Sequence, residues 1–169
     1  MGEEVQVRAG VEQDLAALTA IYNHYVCETP YTFDTEIFTP EERRAWLASY
    51  SPGGPHRLLV AEDVGTGEVL GYATSGRFRP KPAYLSSVEC TVYLAPGVTG
   101  RGVGGRLYGA LFDALADEDV HRAYAAIVPP NEPSERLHRR FGFEPVGVLR
   151  EVGRKFGRYW DVAWFEKAL

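Results

Sequence analysis

A glycine-dense loop that joins an apolar run to a helical pattern constrains the fold of this chain more than any other feature. Residues 92–105 read VYLAPGVTGRGVGG, and a helical pattern follows at residues 106–116. Glycine has no Cβ, so the backbone of such a loop can adopt positive φ angles and bring several N–H groups to one ligand. The helix start adds unpaired N–H groups and the positive end of a dipole. The stretch therefore predicts a pyrophosphate-binding site.

The glycine spacing also fits G-x-G-x-x-G, the fingerprint of dinucleotide-binding proteins, but its surroundings differ from theirs. That fingerprint needs its glycines directly after a strand, and an acidic residue about 20 positions later. Here residues 95–99 separate the strand pattern from the glycines, and the acidic run 117–119 precedes the next apolar run, 123–128. A phosphate-binding loop of another kind is the better interpretation, and a glycine-rich turn without a ligand is the alternative.

Length and charge indicate one acidic domain rather than a nucleic-acid-binding protein. The 169 residues are most simply a single domain, 1–169, which is large enough to bury a sizeable core. The formal net charge is −5, and acidic and basic residues are interspersed. Because nucleic-acid-binding proteins usually carry a clustered basic face, we expect no nucleic-acid partner.

The cysteines and the apolar runs favour a cytoplasmic protein without a metal. Cys27 and Cys90 make neither a metal-ligand spacing nor a disulfide framework, so we expect reduced thiols. The first residues, MGEEVQV, lack the basic and apolar regions of a signal peptide, and no apolar run approaches 18 residues. The sequence therefore predicts neither secretion nor a membrane partner.

Hydrophobic periodicity predicts strands and helices along the whole chain. A capping box, with Thr39 as N-cap and Glu42 three residues later, predicts the start of the second helix. The predicted strands cover residues 5–8, 57–62, 69–77, 86–94, 123–128 and 144–150, with a last strand that reaches residue 166. The predicted helices cover residues 15–26, 40–49, 106–116 and 132–141.

One carboxylate interrupts the apolar pattern of the strand at residues 86–94. Glu89 stands among Val88, Cys90 and Val92. A carboxylate in such surroundings needs a partner or a raised pKa. A structural salt bridge is one interpretation. Catalysis is favoured, because Glu89 lies just before the glycine-rich loop.

A short segment after the third strand combines three cations with two prolines. Arg77, Arg79 and Lys81 alternate with other residues, and Pro80 and Pro82 prevent ordinary pairing in a central strand. Solvated loop charges are one interpretation. The alternative is an anion-binding lip, since guanidinium and ammonium groups suit carboxylate or phosphinate oxygens.

Two segments resemble the motifs of one enzyme family. Thr99-Gly100-Arg101-Gly102-Val103-Gly104 is similar to the acyl-CoA loop of the Gcn5-related N-acetyltransferases (GNAT), Gln/Arg-x-x-Gly-x-Gly/Ala, with Thr99 in place of the usual Gln or Arg. The segment from Asn131 to Phe143 resembles the family pattern Asn-x-x-Ala-x-x-Leu-Tyr-x-x-x-Gly-Phe. In this sequence Ser134 stands at the Ala position and His138 at the Tyr position.

The resemblance implies an α/β (α+β) fold of the GNAT acyl-CoA N-acyltransferase type. Such a fold has a central mixed, mostly antiparallel, twisted sheet of about seven strands flanked by about four helices, splayed around strands 4 and 5. The order of the predicted elements agrees with this fold over nearly the whole chain.

Further segments narrow the resemblance to the phosphinothricin and methionine-sulfone N-acetyltransferases. They are spread over much of the chain, which makes the resemblance more specific than the glycine loop alone. They are Ile21-Tyr22-Asn23-x-Tyr25-Val26, Thr32-Phe33, Pro40-x-Glu42, Tyr84-x-x-x-Val88-Glu89, Val88-Glu89-Cys90-Thr91, Pro130-Asn131-x-Pro133-Ser134 and Lys155-x-Gly157-x-x-x-Asp161-Val162.

The resemblance implies a role for each matching residue. Glu89 matches the general base, and His138 matches a second catalytic group that faces the thiolate. Substrate-binding positions, most of them around the anionic end of the substrate, are matched by Phe33, Arg79, Lys81 and Tyr84. The cofactor-binding positions are matched by Val92, Tyr93, Leu94, Thr99, Gly100, Arg101, Gly102, Val103, Gly104, Gly105, Asn131 and Ser134.

The resemblance further implies an acetyl-CoA-dependent N-acetyltransferase that acts on the α-amine of a small amino acid, such as phosphinothricin, methionine sulfone or methionine sulfoximine. We expect direct transfer in a ternary complex, because Cys27 is distant in sequence and Cys90 lies on the opposite face of its strand from Glu89. The resemblance also implies a homodimer. An acetyltransferase for a peptide N-terminus or a polyamine, and a non-catalytic acyl-CoA-binding module, are the alternatives.

Overall fold

The computed structural model describes residues 4–169, and this part of the chain forms seven strands and four helices. The strands are β1 (Val5–Ala9), β2 (Arg57–Asp63), β3 (Val69–Arg77), β4 (Ser87–Leu94), β5 (Arg122–Ile127), β6 (Glu144–Lys155) and β7 (Arg158–Ala168). The helices are α1 (Leu15–Glu28), α2 (Pro40–Ala48), α3 (Val103–Leu115) and α4 (Glu132–Arg140). Single 3₁₀ turns stand at Glu12–Asp14 and Pro82–Tyr84.

The strands form one sheet in the order β1-β2-β3-β4-β5-β7-β6. Every neighbouring pair is antiparallel except β4 and β5, which are parallel. That parallel pair is short, since it joins only residues 87–89 of β4 to residues 122–124 of β5. Beyond Glu89 the two strands separate, and a wedge opens in the middle of the sheet.

Helices cover the two faces of the sheet differently. On one face α3 packs over a core that includes Leu107 and Leu111 of the helix and Val88 and Cys90 of β4. On the other face α1 contributes Leu18 to a second core that also holds strand residues of β2 and β3. Because successive side chains of a strand point to opposite faces, Glu89 lies on the α1 and α2 side while Cys90 lies on the α3 side.

The sequence-based predictions of the fold are confirmed, with differences at element ends. The mixed, mostly antiparallel seven-stranded sheet with four helices and a splay between β4 and β5 is present. Helix α2 begins as predicted, with Thr39 and Glu42 forming the capping box. Strand β6 runs to Lys155 rather than to residue 150, because a shift in register between Leu149 and Gly153 lets it continue along β7.

Helix α3 begins three residues before the predicted start at residue 106. Gly102, with φ 77°, is its N-cap in the left-handed region, and Val103 is its first residue. The prediction started the helix too late because Gly104 and Gly105 were assigned to the loop as glycines free to adopt positive φ angles. Neither of them has a positive φ angle, and Gly104 serves packing instead: a Cβ there would lie 3.3 Å from Leu137 Cδ2, so α3 and α4 approach closely.

Candidate active site

A cleft of about 440 Å³ occupies the wedge between β4 and β5, and we call it the wedge cleft. It is bounded by the end of β4, by the glycine-rich loop with the start of α3, and by α4. The predicted cofactor-binding residues that line it are Val92, Tyr93, Leu94, Thr99, Gly100, Gly102, Val103, Gly104, Gly105, Asn131 and Ser134. Arg101, an exposed residue of the same loop, is not among the residues that line the cleft.

The loop at the start of α3 has the backbone geometry of an anion site. Gly100 and Gly102 have φ angles of 84° and 77°, which side-chain-bearing residues rarely adopt. The N–H group of Arg106 donates to the carbonyl oxygen of Gly102 at 3.2 Å and so begins the helical pattern. The N–H groups of Val103, Gly104 and Gly105 precede that bond and have no partner within the helix, so they can bind a phosphate group.

The backbone of β4 offers a further donor inside the wedge cleft. The N–H group of Ala95 donates to Leu70 on the β3 side at 2.9 Å, so alternate residues Val92 and Leu94 direct their backbone groups to the opposite side. The Tyr25 hydroxyl occupies both backbone groups of Leu94, accepting from its N–H group at 3.3 Å and donating to its carbonyl oxygen at 2.9 Å. The N–H group of Val92 is therefore the donor that β4 turns towards the space that β5 leaves open.

His138 is buried on the α4 side of the wedge cleft and is 3% exposed. Its Nδ1 lies 2.7 Å from the carbonyl oxygen of Ser134, which can only accept, so Nδ1 carries a proton. Its Nε2 lies 2.8 Å from the Tyr108 hydroxyl, which donates to it when the ring is neutral. Burial lowers the pKa of His138. The imidazole is therefore neutral at neutral pH, with both nitrogens in hydrogen bonds.

Asn131 caps the helix that carries His138. Its Oδ1 accepts a hydrogen bond from the N–H group of Ser134 at 3.4 Å, at the N-terminus of α4. An N-cap bond of this kind fixes the direction in which the chain enters the helix. Asn131 and Ser134 thereby form the rim of the wedge cleft opposite the glycine-rich loop.

A second cleft, of about 380 Å³, lies between the sheet and the helices α1 and α2. Glu89 lines it, and we call it the Glu89 pocket. Burial raises the pKa of Glu89, and the Arg79 guanidinium opposes that rise. Within residues 4–169 Glu89 forms no ion pair, so a structural salt bridge does not account for its place in the strand.

The two clefts meet on β4. Thr91 and Tyr93 line both of them. A group held in the wedge cleft at Thr91 therefore lies two residues along the strand from Glu89. The arrangement can bring together two molecules, one from each side of the sheet, next to a carboxylate of raised pKa.

Three of the four predicted substrate-binding residues lie on the exposed connection between β3 and β4. Arg79 lies over the ring of Phe78, with its guanidinium carbon 5.0 Å from the ring centroid, and Tyr84 meets the same ring edge-on at 5.8 Å. Lys81 precedes the 3₁₀ turn of this connection. None of the three lines the Glu89 pocket, although Arg79 is close enough to act on the pKa of Glu89.

Phe33 lies in the connection between α1 and α2, away from the lining of the Glu89 pocket. Its ring packs directly on β6, since a Cβ at Gly153 would lie 2.2 Å from Phe33 Cε2. The buried Lys155 ammonium donates to the carbonyl oxygen of Thr32 at 2.9 Å and holds the same connection. These contacts fix the connection against the β6–β7 hairpin.

The sequence did not single out several residues that line the Glu89 pocket. The most notable are Arg43, Trp46 and Tyr72. Arg43 is buried whereas Arg44 beside it is exposed, and no local pattern separates the two. Tyr25 was also missed as a ligand of β4, although it belongs to the matching segment that starts at Ile21.

Neither a metal site nor a membrane-spanning helix is present in the described part of the chain. Within residues 4–169 no group of His, Cys, Asp and Glu side chains is arranged to hold a metal ion. No helix in that part of the chain is both long and apolar enough to cross a membrane.

Comparison with known proteins gives one consistent family. The acetyltransferase (GNAT) domain profile matches residues 7–164. The chain is 68% identical over 166 residues to a phosphinothricin N-acetyltransferase of Streptomyces coelicolor, and the aligned region covers 98% of this chain and 97% of that protein. It is 38% identical over 158 residues to a methionine sulfoximine/methionine sulfone acetyltransferase of Pseudomonas aeruginosa, which covers 94% and 90%.

A solved structure agrees with these sequence relatives. A phosphinothricin acetyltransferase of Sinorhizobium meliloti in complex with acetyl-CoA superposes with a TM-score of 0.90 at 31% identity, covering 98% of this chain and 88% of the other. Both the sequence and the arrangement of strands are therefore shared over almost the full length. The chain belongs to the GNAT family of acetyltransferases.

Proposed function

We propose that this chain transfers the acetyl group of acetyl-CoA to the α-amine of a small amino acid with a second, oxygen-rich tetrahedral group. Phosphinothricin, methionine sulfone and methionine sulfoximine are the proposed acceptors. The chain is an acetyl-CoA-dependent N-acetyltransferase by its family and its relatives. The acceptor is inferred from the names of relatives that are 68% and 38% identical.

One observation carries the proposal: the wedge cleft and the Glu89 pocket meet at Thr91 and Tyr93 of β4. Acetyl-CoA would lie in the wedge cleft, with its pyrophosphate on the N–H groups of the α3 start. Its thioester would follow β4 towards Thr91. An acceptor in the Glu89 pocket would then present its amine to the thioester carbon from the other side of the strand.

Glu89 would act as the general base. An amine attacks a thioester only as the free base, but most aliphatic amines are protonated at neutral pH. A carboxylate whose pKa is raised by burial is a stronger base than an ordinary Glu, and it can accept the ammonium proton directly or through one water. Gln at this position would keep the shape but would lose the base.

The carbonyl oxygen of the thioester gains negative charge during attack, and the Val92 N–H group is the proposed donor to it. For the departing sulfur we propose that His138 is the second functional group. The one ring proton of neutral His138 is on Nδ1, so the ring can offer only that N–H group as a hydrogen bond to the developing thiolate, and the thiolate then takes its proton from solvent water. Cys90 lines the wedge cleft, but burial raises the pKa of its thiol to about 12 and Glu89 lies on the opposite face of β4, so transfer is proposed to be direct.

The exposed cations of the β3–β4 connection are the proposed outer contacts of the acceptor. Arg79 acts electrostatically on Glu89, so the guanidinium lies within reach of a molecule bound to that carboxylate. Lys81 and Tyr84 follow on the same connection, and Phe33 of the α1–α2 connection is the proposed aromatic wall. These four residues lie outside the lining of the Glu89 pocket, so the contacts proposed for them are at the pocket entrance.

We propose that the enzyme is a homodimer that associates through the β6–β7 hairpin. β6 is an edge strand, and large exposed hydrophobic side chains concentrate on it, on the adjoining turn and at the start of β7: Val146, Val148, Leu149, Val152, Phe156 and Tyr159. Contiguous exposed apolar surface of this kind marks an interface. The hairpin also holds the α1–α2 connection, so association there would stabilise one side of the acceptor site.

We place the enzyme in the cytoplasm. Both cysteines are free thiols, which suits a reducing compartment. Acetylation removes the charge of the acceptor amine, so the same reaction would serve either resistance to the herbicide phosphinothricin or the detoxification of amino-acid oxides.

A panel of acceptors assayed by release of free CoA thiol tests the proposal. Phosphinothricin, methionine sulfone and methionine sulfoximine should be acetylated with a kcat/KM well above that for an N-terminal peptide or a polyamine. A preference for the peptide or the polyamine would transfer the chain to one of those acetyltransferase classes. Acetyl-CoA binding without acetylation of any amine would make it a binding module.

A further inference from the structure

A buried cation lines the Glu89 pocket, apart from the exposed cations of the β3–β4 connection. Arg43 of α2 is 6% exposed. Its guanidinium carbon lies 3.7 Å from the ring centroid of Trp46 and 4.5 Å from that of Tyr22. Its Nη1 donates to the carbonyl oxygen of Leu18 at 3.1 Å. These contacts hold the guanidinium in one position between α1 and the pocket.

This cation has no acidic partner within the described residues. No carboxylate in residues 4–169 forms an ion pair with Arg43. Two of the three acidic residues in the pocket wall are engaged elsewhere, since Asp34 accepts from the Tyr22 hydroxyl and Glu42 closes the capping box of α2, and the third, Glu89, is the proposed base. A buried charge is normally paired. An anionic ligand in the pocket would supply the missing partner.

A second buried group beside Arg43 is also unsatisfied. Tyr72 of β3 lines the same pocket and is 1% exposed, and its hydroxyl makes no hydrogen bond of normal length and angle with a described residue, the Arg43 guanidinium being its polar neighbour. Burial raises the pKa of Tyr72, and the nearby Arg43 guanidinium opposes the rise. A neutral phenol next to a guanidinium is a donor pair suited to an oxyanion.

The cation and the proposed base act on one common neighbour. Burial raises the pKa of Tyr50. The positive charge of Arg43 opposes this rise, and the negative charge of Glu89 adds to it. All three residues line the Glu89 pocket. A compact molecule with an ammonium group at one end and an oxyanion at the other matches a pocket that is lined by both a carboxylate, Glu89, and a guanidinium, Arg43.

Building on the proposed function, we propose that Arg43 and the Tyr72 hydroxyl bind an oxyanion of the acceptor while Glu89 receives its amine. The proposed acceptors carry two oxygen-rich groups, the α-carboxylate and the tetrahedral group of the side chain. Arg43 takes one of them inside the pocket, and the exposed cations of the β3–β4 connection take the other at its entrance. Specificity for acceptors with two such groups follows from this division.

Two variants and one matched control test the assignment by steady-state kinetics with phosphinothricin. Arg43→Met removes the charge and keeps most of the volume, and Tyr72→Phe removes only the hydroxyl. The KM for phosphinothricin should rise about tenfold or more in Arg43→Met and about three- to tenfold in Tyr72→Phe, while the KM for acetyl-CoA stays unchanged. Arg44→Met, the control on the exposed face of α2, should leave both KM values unchanged.

Thermal unfolding separates the proposed role from a structural one. Tyr72→Phe deletes a hydroxyl that makes no hydrogen bond of normal length and angle, so its Tm should equal or exceed that of the wild type. If Arg43→Met does not fold, Tyr72→Phe decides the question alone. A phosphinothricin KM within twofold of wild type in each folded variant, or an equal rise in the KM for acetyl-CoA, would overturn the inference.

Two shortened acceptors identify the oxyanion. One is phosphinothricin without its α-carboxylate, and the other is 2-aminobutyrate, which lacks the phosphinate. With the shortened acceptor that lacks the group bound by Arg43, Arg43→Met should no longer raise the KM. With the other shortened acceptor, Arg43→Met should still raise the KM. A wild-type chain that acetylates none of these amines would overturn the proposed function itself, whereas activity with unchanged KM values in the variants would overturn this inference alone.

Discussion

At the scale of single residues, the proposed chemistry depends on where β4 places Glu89. The strand alternates between two faces, so it places Cys90 in the core under α3 and Glu89 in the pocket under α1 and α2. Burial without an ion pair raises the pKa of Glu89. Arg79 limits the rise, so the carboxylate remains available in its charged form as a base.

Glu89→Gln should lower kcat/KM for the acceptor by about 10² or more, the usual scale for the loss of a general base. The wild-type kcat/KM should also fall as the pH is lowered, because only the deprotonated carboxylate is active. The midpoint of that fall should lie above about 4.3, the ordinary Glu pKa, since burial raises the value. A pH profile of both proteins measures this. Near-wild-type activity in the variant would remove Glu89 from the role, and Glu68→Gln on an exposed turn is the control.

When the pH is lowered through about 6.5, where an ordinary His takes up a proton, the His138 ring should stay neutral. Burial lowers its pKa, and its Nδ1 proton is held by the carbonyl oxygen of Ser134. The unfolded chain then binds the extra proton and the native chain does not, so this residue lowers the free energy of unfolding as the pH falls below that value. Nitrogen-detected NMR of the imidazole measures both the tautomer and the pKa. A doubly protonated ring in the native protein at pH 6 would contradict the assignment.

At the scale of elements, the start of α3 combines a loop and a helix in one proposed anion site. Gly102 caps the helix in a left-handed conformation, and the first N–H groups of α3 face the wedge cleft. Gly104 belongs to the helix for a different reason, which is the close approach of Leu137 from α4. Glycines of one short segment thus serve backbone conformation at one position and packing at another.

Two glycine-to-alanine variants of this element should give opposite results. Gly102→Ala forces a side chain into the left-handed region, so it should cost about 1–2 kcal/mol of unfolding free energy and raise the KM for acetyl-CoA. Gly109→Ala lies in the middle of α3 with no heavy atom within 4 Å of the added Cβ, so it should stabilise the protein by up to about 1 kcal/mol and leave that KM unchanged. Chemical denaturation and steady-state kinetics measure both effects. An unchanged KM for acetyl-CoA in Gly102→Ala would argue against the loop as the pyrophosphate site.

Local signals in the sequence were sufficient for some elements and not for others. The capping box at Thr39 placed the start of α2 correctly, because a cap is formed by residues three positions apart. The start of α3 was placed too late, since the contact between Gly104 and Leu137 is made by residues distant in sequence. The burial of Arg43 beside the exposed Arg44 depends on how α2 docks onto α1, which no local pattern encodes. The position of the wedge was predicted from the family resemblance alone. Its cause is the short pairing of β4 with β5, which no local sequence pattern encodes.

At the scale of the whole molecule, one interruption of the sheet and one edge organise the protein. The parallel pair of β4 and β5 ends at Glu89, and the space beyond it becomes the wedge cleft. One end of the sheet consists of the long β6–β7 hairpin, and its edge strand, β6, carries exposed apolar side chains. The proposed cofactor site is internal to one chain, whereas the hairpin is the surface available for association.

Val148→Glu in the hairpin should convert the proposed homodimer to a monomer, because the change buries a charge in an apolar interface. Val64→Glu is the matched control, since Val64 is similarly exposed, 47% against 51% for Val148, but lies on the β2–β3 turn. Light scattering coupled to size-exclusion chromatography measures the mass of each protein. A wild-type chain that already has the mass of a monomer would contradict the proposed dimer.

The central claim is that the amides at the start of α3 hold the diphosphate of acetyl-CoA and set its thioester beside Glu89. A crystal structure with CoA and phosphinothricin bound is the most direct test. We predict the diphosphate on the N–H groups of Val103, Gly104 and Gly105, the sulfur next to β4 in the wedge cleft, and the acceptor amine within hydrogen-bond distance of Glu89. A diphosphate bound elsewhere, or a Glu89 carboxylate turned away from the acceptor amine, would contradict the account.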